Sequence, residues 1–265
     1  MTIHPAQKTH FIMTNPSHPG NVGAAARALK TMGFQQLRLV KPKLATITQH
    51  ADAVAMASGA QDVLSASCEF NEFAEALEGI TLSFALTARP RDIGPNSLNI
   101  REAAHLAQEH LAAAASNQVA VVLGTERTGL SNEQISHCHY ICYIPANPEY
   151  SSLNVAQAIQ LAAWELRYAL IEENPHLKSD HKIRLDFPDP IEDPLAPQDQ
   201  VEALLVHWQE ALEAIEFIDT KRPKKTMLKM RHWLLRSRLT QNETDMMRGV
   251  CTQILKQSKK TNSAP

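Results

Sequence analysis

Small and polar residues follow two strands that the sequence predicts, and their loops could line a ligand site. Val119 to Leu123 is a short apolar run rich in valine, which is typical of a strand buried on both faces of a parallel sheet. It ends at Gly124 and continues as a polar loop, residues 125–129. Tyr140 to Ile144 is a second such strand, followed by polar residues 146–151. Because ligands bind outside the carboxyl ends of strands in open parallel sheets, both loops are candidate site loops.

A third polar loop, residues 15–23, precedes a predicted helix from Ala24 to Met32. Asn21 lies in this loop and Arg27 in the early turns of the helix, where neighbouring alanines allow close approach of a ligand. The alternative for Arg27 is an arginine exposed on the surface. The loop has only a G-x-x-G spacing, so it lacks the dinucleotide fingerprint G-x-G-x-x-G, and a nucleotide-dependent oxidoreductase is disfavoured.

A further strand, Ile80 to Leu86, opens into a long loop that contains Arg89 and Arg91. Long loops in compact domains are often functional, so the two arginines are candidates for phosphate contacts, with a solvated surface pair as the alternative. Strands alternate with helices throughout residues 10–170. This alternation predicts an α/β fold with a parallel sheet between layers of helices.

Charge is distributed unevenly along the chain, although its formal net charge is only −2. Residues 217–265 contain 12 Lys and Arg against 3 Asp and Glu, whereas residues 1–216 contain 14 against 25. This asymmetry predicts a C-terminal end that faces a polyanion, and a solvated basic helix face is the alternative. We predict three parts: residues 1–172, a Pro-rich linker over 173–197, and a basic helical extension over 198–265 with a disordered tail. Trp233 is expected to pack in the core of this extension.

The four cysteines, Cys68, Cys138, Cys142 and Cys251, include no C-x-x-C pair. His137, Cys138, His139 and Cys142 have the chemistry of metal ligands, but their spacing is wrong for a standard zinc site, so we expect no metal. No apolar run approaches the ~20 residues that span a membrane, and the N-terminus lacks the apolar core of a signal peptide. These features predict a cytoplasmic protein with reduced thiols and no membrane partner.

Three segments together resemble the SPOUT class of RNA methyltransferases. They are HPGNVGAAARALKTMGF with Asn21 and Arg27, VLGTERTGLSNE, and IPANPEYSSLNVAQA. Within that class the chain is most similar to the TrmJ type, which are tRNA ribose 2′-O-methyltransferases acting on cytidine or uridine at position 32 of the anticodon loop. The likeness covers about residues 8–170 and is weaker over the C-terminal helices. One departure is the strand exit LTAR at residues 86–89, where relatives often have a serine and a glycine nearby.

The resemblance implies a parallel sheet flanked by helices with a C-terminal deep trefoil knot, a small C-terminal helical extension, and a homodimer whose site is completed across the interface. It implies S-adenosyl-L-methionine as the cofactor, held by residues from three strand-end loops: Leu86, Thr87, Ala88, Gly124, Ile144, Ser151, Ser152 and Leu153. It implies catalytic roles for Arg27, Ser152 and Asn21, with no metal. The expected tRNA contacts come from basic residues of both parts: Arg89, Arg91, Lys229, Arg231, Arg236 and Arg238.

Several points stay open at this level. Arginine is almost never a base, so Arg27 either fixes a phosphate or stabilises the developing alkoxide while another group takes the proton. Glu126 either holds a backbone segment in place or accepts a hydrogen bond from the substrate. A different RNA, such as ribosomal RNA, is the alternative substrate, and a binding module that senses S-adenosylmethionine or a nucleotide without chemistry is the alternative from another class.

Overall fold

The structure is a computed structural model that describes residues 4–89, 94–170, 193–218 and 225–261. The chain divides into two compact units, residues 1–186 and 187–265. We call the described residues of the first the N-terminal unit and those of the second the C-terminal unit. The predicted linker 173–197 lies outside the described residues up to residue 192. Residues 194–196 are part of the C-terminal unit, where the Ala196 N–H donates to the Leu239 carbonyl at 2.8 Å.

The N-terminal unit alternates strands and helices, as the sequence predicts. Its strands are β1 (Thr9–Thr14), β2 (Gln36–Val40), β3 (Cys68–Phe70), β4 (Leu82–Leu86), β5 (Ser97–Asn99), β6 (Val119–Leu123) and β7 (Tyr140–Tyr143). Its helices are α1 (Pro19–Thr31), α2 (Ala51–Ala57), α3 (Gln61–Ser65), α4 (Ile100–Ala113), α5 (Asn132–Ser136) and α6 (Val155–Leu170).

The seven strands form one sheet in the order β3-β2-β1-β6-β4-β7-β5, and every pairing is parallel. Residues of β1, β4 and β6 are buried throughout, because helices and loops cover both faces of the sheet. One face packs against α1, α4 and α6, and the other against α5 and the 3-10 turn Glu75–Leu77. The predicted α/β fold is therefore confirmed. Parallel strands place the carboxyl ends of β4, β6 and β7 side by side at one edge.

Helix α1 begins at Pro19, five residues before its predicted start at Ala24. Proline is favoured in the first turn of a helix, so the P-G-N sequence that suggested a turn is in fact a helix start. Gly23 lies inside this helix, where a Cβ atom would come within 2.0 Å of the Ala53 carbonyl oxygen. Glycine is required here by the close packing of α1 on α2.

Other predicted elements also differ in extent. The sequence predicts a helix from Asn71 to Leu77 and an alanine-rich helix from Ile47 to Gly59. The first is only the 3-10 turn Glu75–Leu77, and the second is the 3-10 turn Ile47–Gln49 followed by α2. The edge strand β5 was not predicted, because it is three residues long and follows Pro95. The spacing of Ser131 and Gln134 predicts a capping box at the start of a short helix, and α5 confirms it, since the two residues bond reciprocally to each other's backbone.

A buried polar cluster surrounds His10 on β1, near the amino ends of the strands and away from the carboxyl ends of β4, β6 and β7. The His10 Nε2 atom is 2.7 Å from the Gln118 side-chain oxygen, and the buried Nδ1 atom has no hydrogen-bond partner among the described residues. Burial, together with the positive charge of Arg38, lowers the pKa of His10 to about 4, although the bond to Gln118 acts in the other direction.

We expect this histidine to make stability depend on pH. Its folded pKa is below its unfolded pKa, so its contribution is complete above about pH 6.5 and is lost as pH falls toward 4. Between pH 7 and pH 4.5 the wild-type chain should lose about 2 to 3 kcal/mol of unfolding free energy more than a His10→Gln variant. Urea unfolding followed by circular dichroism at both pH values measures this difference. Equal losses in the two proteins would contradict the assignment.

Within the extension the sequence predicts three helical segments, 198–218, 226–239 and 241–257. The C-terminal unit has three helices close to these bounds: α7 (Gln198–Ala214), α8 (Thr226–Ser237) and α9 (Gln241–Thr261). Its small core includes apolar residues of all three helices, among them Leu204, Leu234 and Cys251. An ion pair of 2.6 Å between Arg231 of α8 and Glu202 of α7 joins two of the helices. The sequence predicts a disordered tail over residues 259–265, but α9 continues to Thr261, and residues 262–265 lie outside the described residues.

Candidate active site

A pocket opens at the carboxyl ends of β4, β6 and β7. It encloses about 750 Å³ of space, open solvent included. All eight residues predicted to contact a cofactor line it: Leu86, Thr87, Ala88, Gly124, Ile144, Ser151, Ser152 and Leu153. The pocket thus combines apolar walls with hydroxyl groups and exposed backbone from three loops that are far apart in sequence.

The loop after β6 folds back on itself at this pocket. Thr125 and Gly129 exchange backbone hydrogen bonds of 3.3 and 3.0 Å, and the Thr125 and Thr128 hydroxyls lie 2.6 Å apart. A Cβ atom at Gly124 would come within 2.0 Å of the Gly129 backbone. Glycine at position 124 therefore permits the tight loop that forms one wall of the pocket.

Glu126, in the same loop, holds the start of α1. Its carboxylate accepts hydrogen bonds from the Ser17 hydroxyl at 2.9 Å and from the Ser17 and His18 backbone N–H groups at 3.3 Å. It also accepts from the Asn21 amide nitrogen at 3.1 Å. A carboxylate at a helix N-terminus is further favoured by the helix dipole. Of the two roles left open by the sequence, the structure places Glu126 in the one that holds a backbone segment.

Partial burial of Glu126 acts to raise the pKa of its carboxyl group, but the hydrogen bonds outweigh it. Bonds from its own backbone, Asn21, Ser17 and His18 all favour the charged form, so the pKa lies below its ordinary value. Glu126 is therefore an acceptor fixed in its ionised form at neutral pH.

Asn21 connects this loop to the beginning of α6. Its side-chain oxygen accepts a 3.0 Å hydrogen bond from the amide of Asn154, while its nitrogen donates to Glu126. Asn154 in turn accepts from the Ala156 N–H at 2.9 Å, and Gln157 accepts from the Asn154 N–H at 3.3 Å. The sequence predicts Ser151 or Ser152 as the cap of α6, but Asn154 takes that position in the structure. Its sequence signal was an Asn three residues before a Gln at the start of an apolar helix.

Arg27 is exposed on α1 and is absent from the lining of the pocket. Its guanidinium has no hydrogen-bond or ion-pair partner within the described ranges. Of the three predicted catalytic residues, Ser152 lies in the pocket wall, Asn21 contacts Glu126 in that wall, and Arg27 lies two helical turns after Asn21. The geometry thus groups Ser152 and Asn21 with the pocket and leaves Arg27 free on the adjoining helix surface.

Both compact units of the chain match models of known protein families. Residues 8–164, which contain the sheet and the pocket, match the model of the SpoU rRNA methylase family. The chain belongs to the SpoU rRNA methylase family. Residues 199–263 match a second family model, the C-terminal domain of tRNA methyltransferase TrmJ. The predicted resemblance to TrmJ-type methyltransferases is confirmed.

Similar proteins cover nearly the whole chain. A relative from Pseudomonas aeruginosa (strain UCBPP-PA14), named tRNA (cytidine/uridine/adenosine-2′-O-)-methyltransferase TrmJ, is 36% identical over 94% of this chain and 94% of its own length. The crystal structure of TrmJ from Z. mobilis ZM4 is 28% identical, covers 93% of this chain and 98% of that chain, and has a TM-score of 0.77. A probable methyltransferase from Bordetella pertussis Tohama I is 60% identical, covers 63% and 98% of the two chains, and has a TM-score of 0.61.

The residues predicted to contact RNA differ in their exposure to solvent in this SpoU-family chain. Arg89 lies at the rim of the pocket beside Arg127, a second exposed arginine that the sequence analysis did not select. Arg91 lies outside the described residues. In the C-terminal unit, Lys229 and Arg236 are exposed, whereas Arg238 is half-buried and the half-buried Arg231 forms its ion pair with Glu202.

The histidines and cysteines around residue 140 are engaged in packing and hydrogen bonding. The Cys138 and Cys142 thiols are buried, which raises the pKa of each to about 12, and His139 lies 2.9 Å from the Ser83 hydroxyl. All four cysteines are free thiols. Across the described ranges, no group of three or more His, Cys, Asp or Glu side chains is arranged to hold a metal ion. In the same ranges, no helix is both long and apolar enough to cross a membrane.

Proposed function

We propose that this SpoU-family enzyme transfers the methyl group of S-adenosyl-L-methionine to the ribose 2′-OH of cytidine or uridine at position 32 in the tRNA anticodon loop. The observation that carries the proposal is the convergence of the eight expected cofactor residues on one pocket, which Glu126 and Asn21 connect to the helix of Arg27. The relative's name, tRNA (cytidine/uridine/adenosine-2′-O-)-methyltransferase, supports the reaction and the substrate class. A tRNA substrate also agrees with the cytoplasmic location expected from the cysteines.

The residues of the pocket fit this cofactor. Gly124 brings backbone close to the cavity, Leu86, Ile144 and Leu153 supply apolar walls, and Ser151 and Ser152 supply hydroxyl groups. When bound, S-adenosylmethionine supplies an electrophilic methyl group on a sulfonium. A largely neutral lining suits such a reaction, because the positive charge disperses during transfer and the protein contributes alignment and exclusion of water. The trefoil knot expected from the resemblance is part of the same proposal.

Arg27 has the most demanding role, because the ribose 2′-OH is a weak nucleophile and must lose a proton. An arginine side chain cannot be deprotonated in proteins, so we assign Arg27 to stabilising the developing alkoxide or fixing the adjacent phosphate, with the proton passing to an RNA phosphate or water. Ser152 is assigned to the ribose or its phosphate. Asn21 is assigned to positioning, because its two hydrogen bonds fix the first turn of the helix that carries Arg27.

We further propose a homodimer in which the partner completes each site. Two observations support it. Arg27 is exposed and does not line the pocket of its own chain. Helix α6, which packs against α1, exposes the large apolar side chains Leu161 and Trp164, 41% and 53% accessible, as expected of a face that another subunit covers.

The test is methyl transfer from labelled S-adenosylmethionine to unmodified tRNA transcripts that carry either ribose or 2′-deoxyribose at position 32. We expect label in the first transcript and none in the second. Label in both would move the reaction to a base or another nucleotide. Label in neither, with transfer to ribosomal RNA fragments in a parallel assay, would favour the alternative substrate that the description of the family suggests.

A further inference from the structure

Trp233 is an unusual surface residue of the C-terminal unit. Its side chain is 47% exposed on α8, although a tryptophan in so small a unit was expected in the core. Its indole ring lies edge-on to that of Trp208 on α7, with 5.7 Å between ring centroids and 78° between ring planes. One part of the ring system is therefore packed against a second tryptophan, and the remainder faces solvent.

The exposed ring lies between two exposed cations on the same helix. Lys229 is four residues before Trp233 and Arg236 three residues after it, so the three side chains lie along one face of α8. Neither Lys229 nor Arg236 forms an ion pair among the described residues. Helix α8 contains no acidic residue, and Glu202 of the neighbouring α7 is already paired with Arg231. The face thus has a π surface flanked by unneutralised positive charge one turn away on each side.

The ring is also held in place before any ligand arrives. Edge-to-face contact with Trp208 restricts rotation of the indole, and the ion pair of Arg231 with Glu202 holds α8 on α7. A fixed aromatic side chain loses little conformational entropy on binding, so more of its stacking energy contributes to affinity.

We propose that Trp233 is a base-stacking site for an unpaired nucleotide of the RNA substrate, with Lys229 and Arg236 contacting phosphates on either side of that nucleotide. Single-stranded and loop nucleotides are bound through this pairing of aromatic stacking with cationic contacts to the backbone. The flanking cations favour a nucleic acid over an apolar protein partner on this face. The inference rests on the proposed function only in taking RNA as the substrate.

The test is the affinity of full-length variants for tRNA, measured over a range of salt concentrations by filter binding. Trp233→Ala should weaken binding about 5- to 100-fold at every salt concentration, because stacking does not release counterions. Lys229→Ala and Arg236→Ala should instead lower the slope of log affinity against log salt by about 0.7 to 0.9 each. Trp233→Phe should recover most of the lost affinity, since it retains an aromatic face.

Phe217→Ala is the matched control, because Phe217 is an exposed aromatic residue of the same unit at 64% accessibility, outside the α8 face. It should bind tRNA like the wild type. Thermal unfolding of each variant separates loss of the stacking surface from loss of the fold. The proposal is overturned if folded Trp233→Ala binds within twofold of the wild type, or if it changes the salt slope as a lysine variant does. Methyl transfer by the wild-type enzyme reports separately on the proposed function.

Discussion

Replacing Arg27 with alanine is expected to lower kcat for methyl transfer to tRNA by about 10² to 10³-fold, the usual effect of removing a group that stabilises developing oxyanion charge. Thermal stability should be almost unchanged, because the side chain is exposed and has no hydrogen-bond or ion-pair partner among the described residues. Lys30→Ala is the matched control, since Lys30 is an exposed cation on the same helix whose surface ion pair with Asp62 contributes little. Steady-state methyl transfer at saturating tRNA measures the effect.

A mixing experiment decides which pocket Arg27 serves. The Arg27→Ala variant retains an intact pocket, and a Gly124→Val variant retains Arg27 but has a bulky side chain where a Cβ atom already meets the Gly129 backbone. If Arg27 completes the partner's site, mixed dimers regain transfer that neither parent shows. If it serves its own pocket, the mixture stays as inactive as the parents, and the cross-subunit part of the proposal is wrong.

Glu126→Gln is expected to reduce both stability and transfer. The Glu126 carboxylate accepts hydrogen bonds from N–H groups of Ser17, His18 and Asn21. In glutamine an NH2 group replaces one of the two carboxylate oxygens, so some of these hydrogen bonds are lost. Leaving such donors unpaired costs about 1 to 3 kcal/mol of unfolding free energy. We expect methyl transfer to fall about 10- to 100-fold, because the start of α1 and hence Arg27 lose their fixed position.

The control for this variant is Glu133→Gln, an exposed glutamate in the first turn of α5 that should change neither quantity. Glu126 positions the start of α1, so its substitution should lower methyl transfer without abolishing the binding of S-adenosylmethionine. Titration calorimetry measures that binding. A Glu126→Gln enzyme with normal stability and normal transfer would show that the hydrogen bonds to the start of α1 are dispensable.

The sheet was predictable because its strands are short continuous apolar runs bounded by turn formers. Val119 to Leu123 was placed without error, since burial on both faces leaves little ambiguity in such a run. Helix α1 was misplaced at its start because Pro19, Gly20 and Asn21 are turn formers by local propensity. Tertiary packing decides that region instead, as Gly23 meets Ala53 of another helix and Glu126 bonds the residues before Pro19.

The sequence predicted which residues form the site, but it did not predict all the hydrogen bonds that connect them. The loops of the site could be found because parallel strands gather their carboxyl ends, and the family resemblance supplied the individual residues. The bond between Glu126 and Asn21 spans 105 residues of sequence and the bond between Asn154 and Asn21 spans 133, and no local pattern encodes such contacts. The exposure of Trp233 likewise follows from how three helices pack, because periodicity marks it equally well as a core residue.

The strand order has a consequence for the chain while it is being made. Strand β1 pairs with β2 on one side and with β6 on the other, and residues 119–123 of β6 follow β1 by more than a hundred positions. A nascent chain that ends before β6 therefore carries an apolar strand with one open edge, which is a template for aggregation. The same delay applies to Asn21, whose partners Glu126 and Asn154 are synthesised more than a hundred residues later. A chain that ends before α6 therefore lacks the hydrogen bond between Asn21 and Asn154 and has no assembled site.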